Sequence, residues 1–232
     1  DGYSLFECPN MSAKLIHCHP SDNELGKIYA PDLSLQASPN AMATALASIK
    51  VADDASRLDW LRAAKAGYDA SYHVKAQPGT LDMGEVLAHL RAVIPENAII
   101  TNGAGNFAIW PNKFLKFGPK GRLLAPQSGA MGYGVPAAIA AKLHDPSRFV
   151  LCFAGDGDFQ MNGNELGSAM QAGLPLIILI VNNGTYGTIR MHQERHYPER
   201  VSGTELVNPD FVTLAKAYGF YGERVEKTED FA

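Results

Sequence analysis

Two apolar runs end in residues that can hold a charged ligand. Residues 148–154 read Arg-Phe-Val-Leu-Cys-Phe-Ala and lead directly into Gly155-Asp156-Gly157-Asp158. Residues 176–181 lead in the same way into Asn182-Asn183-Gly184. Each run has the length and composition of a buried strand, and the intervening stretch 162–172 is patterned as a helix. That is one strand–helix–strand unit, so the two strands are neighbours about 5 Å apart. Asp156 and Asn183 then stand just past the carboxyl ends of adjacent strands, where their side chains can converge on one ion. A carboxylate, an amide oxygen and a nearby backbone carbonyl are hard donors that suit Mg2+ or Ca2+ rather than zinc. Mg2+ commonly shares its shell with phosphates. The glycines let backbone approach such phosphates closely, and a helix starting near Gly187 aims free N–H groups at the same place. These residues suggest a metal-bridged diphosphate.

The elements that must position them alternate from Leu81 onward. Helices are expected at 82–93, 104–114, 132–143, 162–172, 188–196 and 209–218. Strands are expected at 97–101, 122–126, 148–154 and 176–182, with another starting at 221–225. Alternation of this kind predicts an α/β fold, a doubly wound and mainly parallel sheet covered on both faces, with ligands at the carboxyl ends of its strands. Upstream, 14–19 reads as a short strand and 39–50 as a helix capped by Ser38. One strand and one helix close no core, so residues 1–55 read as the tail of a central α/β domain. Residues 56–80, helix-like to 75 and then broken at Gln77-Pro78-Gly79-Thr80, read as a linker, and 81–232 as the diphosphate domain. Both ends of the chain look like cuts through a longer protein.

Composition narrows the function classes. The 232 residues are 46% hydrophobic and 19% charged, with a net charge of −4. The basic residues are scattered, so neither nucleic acid nor an anionic membrane is an expected partner. The longest apolar run, from Leu174 to Val181, is eight residues and too short to span a bilayer. Cys8, Cys18 and Cys152 form no CxxC pair, which favours a reducing cytoplasm over a disulfide framework. No repeat or low-complexity segment is present.

The spacing of Gly155-Asp156-Gly157 and Asn182-Asn183 resembles the signature of thiamine diphosphate-dependent enzymes. A second stretch, Gln127-Ser-Gly-Ala-Met-Gly-Tyr-Gly-Val-Pro-Ala-Ala138, is similar to the segment that cradles the aminopyrimidine in the acetolactate synthase-like group. The resemblance covers the whole chain and implies two cofactors, thiamine diphosphate and Mg2+. It implies that Asp156 and Asn183 ligate Mg2+ by side chain and Thr185 by its carbonyl. Gly155, Gly157 and Asp158, with Tyr186, Gly187, Thr188 and Ile189, would surround the diphosphate. Met131 would sit under the bend between the two rings, the Gly129 carbonyl would accept a bond from the 4′-amino group, and Asn106 would face the cofactor.

The same resemblance implies a small 2-oxo acid substrate, decarboxylated and then protonated or ligated to an acceptor. The activating glutamate would come from a pyrimidine domain outside this chain. No catalytic residue is therefore assigned here, and the chain alone is expected to be inactive. The partner would be a second copy, in a dimer or tetramer, or a separate pyrimidine-domain subunit. The resemblance leaves open whether a central-domain nucleotide such as FAD binds, since residues 1–55 read as only the tail of that domain. Asn106-Phe107 stands where the biosynthetic enzymes carry Gln-His, and His192 stands near their acceptor-pocket aromatic. The alternatives are a simple decarboxylase of aryl or indole pyruvates and a non-catalytic cofactor-holding module.

Other patterns have plainer readings. Gly103-Ala-Gly105-Asn-Phe-Ala108 and Gly132-Tyr-Gly134-Val-Pro-Ala137 both fit a loose dinucleotide fingerprint. No acidic residue lies between Glu96 and Asp145 to serve a ribose, so both read as tight turns at strand ends. His192 and His196 lie one helical turn apart with no third ligand in sight. His17 and His19 flank Cys18 on a strand surface, Asp53-Asp54 reads as a helix start, and Cys152 as an inert core side chain. The helices at 132–143 and 162–172 are interface candidates.

Overall fold

A computed structural model describes residues 14–50 and 55–231. The chain divides into two compact units, at 65/66.

In the first unit, β1 (Ile16–His19) pairs in parallel with β2 (Leu33–Gln36), and α1 (Pro39–Ala47) follows. Ser38 caps α1 by accepting a hydrogen bond from Ala41 N at 3.2 Å. The strand β2 is an addition to the sequence reading; Leu-Ser-Leu-Gln mixes apolar and polar residues and lacks the near-continuous apolar run that marks a buried strand. The Nδ1 atoms of His17 and His19 both accept local backbone bonds, from Gly26 N and Ser21 N. The helix start expected at Asp53-Asp54 lies outside the described residues. The helix α2 (Ala55–Ala70) carries the division between the units.

The second unit continues with α3 (Met83–Val93), β3 (Ile99–Asn102), α4 (Ile109–Phe114), β4 (Arg122–Leu124), α5 (Gly134–His144), β5 (Val150–Gly155), α6 (Asp156–Asn162), α7 (Leu166–Gln171), β6 (Ile177–Val181), α8 (Gly187–His196) and α9 (Phe211–Ala217). Its sheet has the order β4-β3-β5-β6, and every pairing is parallel. Side chains alternate along β5. Val150, Cys152 and Ala154 enter a core with α5, α6 and α7, while Leu151 and Phe153 enter another with α3 and α4. The sheet is thus covered on both faces, as the alternating pattern requires.

Two expectations change. Residues 221–225 form no strand; the nearby chain instead bonds back to the start of the unit, where Thr80 Oγ1 donates to Glu226 O at 2.6 Å and Thr228 N to Thr80 O at 3.1 Å. A strand needs a ladder partner, and these residues pair with none of the described strands. The helix expected at 162–172 begins earlier, as α6, and passes through a 3-10 turn at Gly163–Glu165 into α7. Asp156 and Asp158 therefore occupy the first turn of α6, where the helix dipole favours negative charge.

Candidate functional site

The site is built where β5 and β6 end. The register pairs Gly155 with Val181, so the two turns that follow start side by side. Asp156 is 2% exposed, and its Oδ2 accepts two bonds, from Gly184 N at 2.8 Å and Asn208 Nδ2 at 2.7 Å. Its Oδ1 accepts no hydrogen bond among the described residues. The turn after β6 is closed by Asn183 Oδ1, which accepts from Thr185 N at 3.1 Å, and by Thr185 O, which accepts from Gly187 N at 2.9 Å. Each of these two oxygens keeps a lone pair for a further partner.

Three other segments meet these turns. Beyond β3, Asn106 and Thr188 are joined twice: Asn106 N donates to Thr188 Oγ1 and Thr188 Oγ1 to Asn106 Oδ1, both at 2.9 Å. A Cβ on Gly155 would come within 2.7 Å of the Phe107 ring, and one on Gly157 would overlap the Tyr186 ring. Only glycine lets the loop after β3 and the turn before α8 close this tightly on the turn between β5 and α6.

Asp158 performs the third closure. Its Oδ1 accepts from Gly132 N at 2.7 Å and Ala104 N at 3.2 Å. It thereby links the stretch holding Gly129 and Met131 to the loop after β3. Burial pushes the Asp158 carboxyl above the usual aspartate range, against the backbone N–H bonds that pull it down. A Cβ on Gly103 would overlap this carboxylate, so the first glycine of the loose dinucleotide pattern serves close packing. Met131 is half-buried and Gly129 exposed, while Ile189 is 48% exposed and lines a shallow groove on α8 with His192 and His196. The His192 and His196 rings stack 6.2 Å apart.

Sequence reasoning missed Asn208, which lies 52 residues from Asp156 and just before the helix expected at 209–218, where no reading was attached to it. It also missed the strap that carries Asn208, where Tyr186 N donates to Thr204 O at 2.8 Å and Leu206 N to Gly184 O at 2.9 Å. Thr204 is 1% exposed, and its hydroxyl has no partner among the described residues. No spacing rule flags such contacts.

The donor set suits a hard cation beside a polyanion. It offers a carboxylate with one unengaged oxygen, an exposed amide and a carbonyl. The helix α8 starts without a side-chain cap, and after Gly187 N, which is bonded to Thr185 O, the N–H groups of Thr188 and Ile189 are open to an anion. Among the described residues no three His, Cys, Asp or Glu side chains group together as a metal site, so an ion here would depend on amide, carbonyl and cofactor oxygens. No described helix is long and apolar enough to cross a membrane.

Residues 103–232 match the family described as "Thiamine pyrophosphate enzyme, C-terminal TPP binding domain". The chain is 35% identical over 231 residues to the acetolactate synthase large subunit of Corynebacterium glutamicum, covering 94% of this chain and 37% of that protein. It is 32% identical over 223 residues to the acetolactate synthase large subunit of Parasynechococcus marenigrum, covering 94% and 36%. It is 29% identical over 220 residues to the acetolactate synthase isozyme 2 large subunit of Escherichia coli, covering 94% and 39%. The chain spans little more than a third of the length of these relatives. With a family match extending over more than half of its residues, on the segment that builds the strand-end site, the chain belongs to the thiamine pyrophosphate enzymes and carries their C-terminal cofactor-binding domain.

Proposed function

We propose that this chain supplies the diphosphate and metal half of a thiamine diphosphate- and Mg2+-dependent site for acetolactate synthase-like 2-oxo acid decarboxylation and carboligation. The observation that supports this most is the junction of Asp156 with the turn after β6, through Gly184 N at 2.8 Å. Asp156, Asn183 and the Thr185 carbonyl are the Mg2+ ligands in this reading. The first turn of α8, from Gly187 through Ile189, and the turn holding Gly155, Gly157 and Asp158 enclose the diphosphate. Tyr186 and Asn106 close its sides, and Gly129 and Met131 address the rings.

Bound thiamine diphosphate supplies the carbanion stabilisation that loss of CO2 from a 2-oxo acid requires. This chain's residues bind, orient and shield. Asp156 brings negative charge to the cation, α8 brings backbone donors to the phosphates, and the Asp158 clasp holds the Met131 stretch against the loop after β3. The activating glutamate is assigned to a pyrimidine domain from another part of the protein or from a partner subunit, so the working unit is a dimer or larger. Residues 1–55 are assigned to the tail of a central domain, 56–80 to a linker and 81–232 to the cofactor domain; the division at 65/66 falls inside that linker.

The test is calorimetric binding of thiamine diphosphate to the full-length protein, with and without Mg2+, against Asp156→Ala. Binding that needs Mg2+ and is lost in the variant supports the site. Binding indifferent to both Mg2+ and the substitution sinks it. Product analysis then separates a 2-hydroxy ketone from a free aldehyde.

A further inference from the structure

Asp156 receives its hydrogen bonds unevenly. Oδ2 takes both donors, while Oδ1 takes none from the described residues. Only one of the two donors is a side chain, and it belongs to Asn208. The second amide hydrogen of Asn208 goes to Asn182 Oδ1 at 2.8 Å, and its own oxygen accepts from Gln160 Nε2 at 2.8 Å. Every polarity is complementary. Turning the amide over would set its oxygen against the carboxylate and its nitrogen against the Gln160 amide nitrogen, so the orientation is determined by its partners.

Asn208 is delivered by a strap tied along its length. Gln193 and Ser202 exchange two bonds, at 3.0 and 3.1 Å, which fasten the strap to α8. Tyr186 N to Thr204 O and Leu206 N to Gly184 O fasten it to the turn after β6. Asn182, the first member of the Asn-Asn pair, is thereby engaged: its Oδ1 accepts from Gly184 N at 3.3 Å and from Asn208.

A carboxylate that ligates a cation through one oxygen needs donors on the other to set its rotation and its basicity. We infer that Asn208 is the positioning residue of Asp156. Anchored by Asn182 and Gln160, it engages Oδ2 and turns Oδ1 toward the ion. This inference rests on the metal reading above. It gives Asn182 a role distinct from that of Asn183: the first asparagine anchors the positioning residue and the second is the ligand.

The experiment uses Mn2+ as the probe on the full-length protein with thiamine diphosphate present. Bound Mn2+ is followed by its electron paramagnetic resonance signal, and cofactor binding by calorimetry. Asn208→Ala is expected to raise the Mn2+ midpoint about 10- to 100-fold, with cofactor binding and turnover restored at saturating Mn2+. Gln160→Ala, at an exposed position, is expected to move the midpoint the same way by less and stands in if Asn208→Ala does not fold. Unchanged midpoints, or a cofactor-binding loss equal at all Mn2+ concentrations, overturn the inference while Asp156→Ala still abolishes metal-dependent binding. If Asp156→Ala leaves that binding intact, the metal reading fails first and the inference with it.

Discussion

The turns after β5 and β6 lie side by side at one edge of the site and face opposite solvent regimes. All six residues of β5 are buried, and Asp156 and Asp158 beyond it are 2% and 3% exposed. The strand β6 is the edge of the sheet, its first residue Ile177 is 46% exposed, and Asn182 and Asn183 are exposed. The charged groups thus stand on the buried side and the neutral amides on the open side. A carboxylate in a low-dielectric interior is tolerated only where fixed donors meet it, and the packed neighbours of β5 hold such donors still. The exposed amides are held too, Asn183 Oδ1 by Thr185 N and Asn182 Oδ1 by Gly184 N and Asn208 Nδ2, but a neutral amide in solvent loses little when such a bond gives way to water. The two turns thus differ in kind, with buried carboxylates beyond the central strand and exposed amide oxygens beyond the edge strand.

Stability measurements can break this comparison. Phe153→Ala on β5 removes a ring that is 0% exposed and is expected to cost about 3–5 kcal/mol in denaturant melts. Its counterpart on the edge, Ile177→Thr, should stay within about 0.5 kcal/mol. Equal losses would show that β6 is as rigidly packed as β5 and end the distinction.

Asp158 sharpens it. Asp158→Ala orphans the Gly132 and Ala104 amides, at about 1–3 kcal/mol for each donor left unpaired. Asp158→Asn keeps an acceptor without the charge and should lose less. The raised pKa sets the sign of the pH dependence. The native state holds this proton more tightly than the unfolded chain does, so the group's contribution is full below the ordinary aspartate pKa of about 3.9. That contribution fades as pH rises through the higher folded value. Melts of the wild type and Asp158→Asn across mildly acid pH should diverge in slope; parallel curves would mean that Asp158 titrates normally.

Thiol labelling gives the smallest signal. Burial pushes the Cys152 thiol up to about 12, so it stays protonated far above neutral pH. In a Cys8→Ser background at about pH 8, half-buried Cys18 should react in the native state and Cys152 only after unfolding. Rapid native labelling of Cys152 would show that β5 opens readily.

Much of the parallel sheet was legible, because β5 and β6 are continuous apolar runs ending in short polar turns. The strand at 221–225 was misread, since an apolar residue beside polar ones marks strand propensity but not the presence of a ladder partner. The start of α6 was also misplaced. Glycine at 155 and 157 lowers helix propensity, while the acidic first turn and the packing of Phe107 and Tyr186 against those glycines favour it. Local spacing put Asp156 and Asn183 past the ends of neighbouring strands, and the register of β5 and β6 brings those ends together. The bond of Asn208 to Asp156 was not foreseen, because a contact across 52 residues leaves no trace in any window.

The alternation of helices and strands from α3 to β6, the burial of β5 on both faces and the arrival of Asp156 beside the Asn182–Asn183 turn follow from the sequence alone. Each depends on periodicity or on the length of one crossover, and both are local quantities. Which oxygen of Asp156 is engaged, that Asp158 clasps two loops, and that Asn182 anchors Asn208 were decided only by tertiary structure. Those outcomes depend on hydrogen-bond geometry between segments far apart in the chain, and the packing of the whole domain sets that geometry.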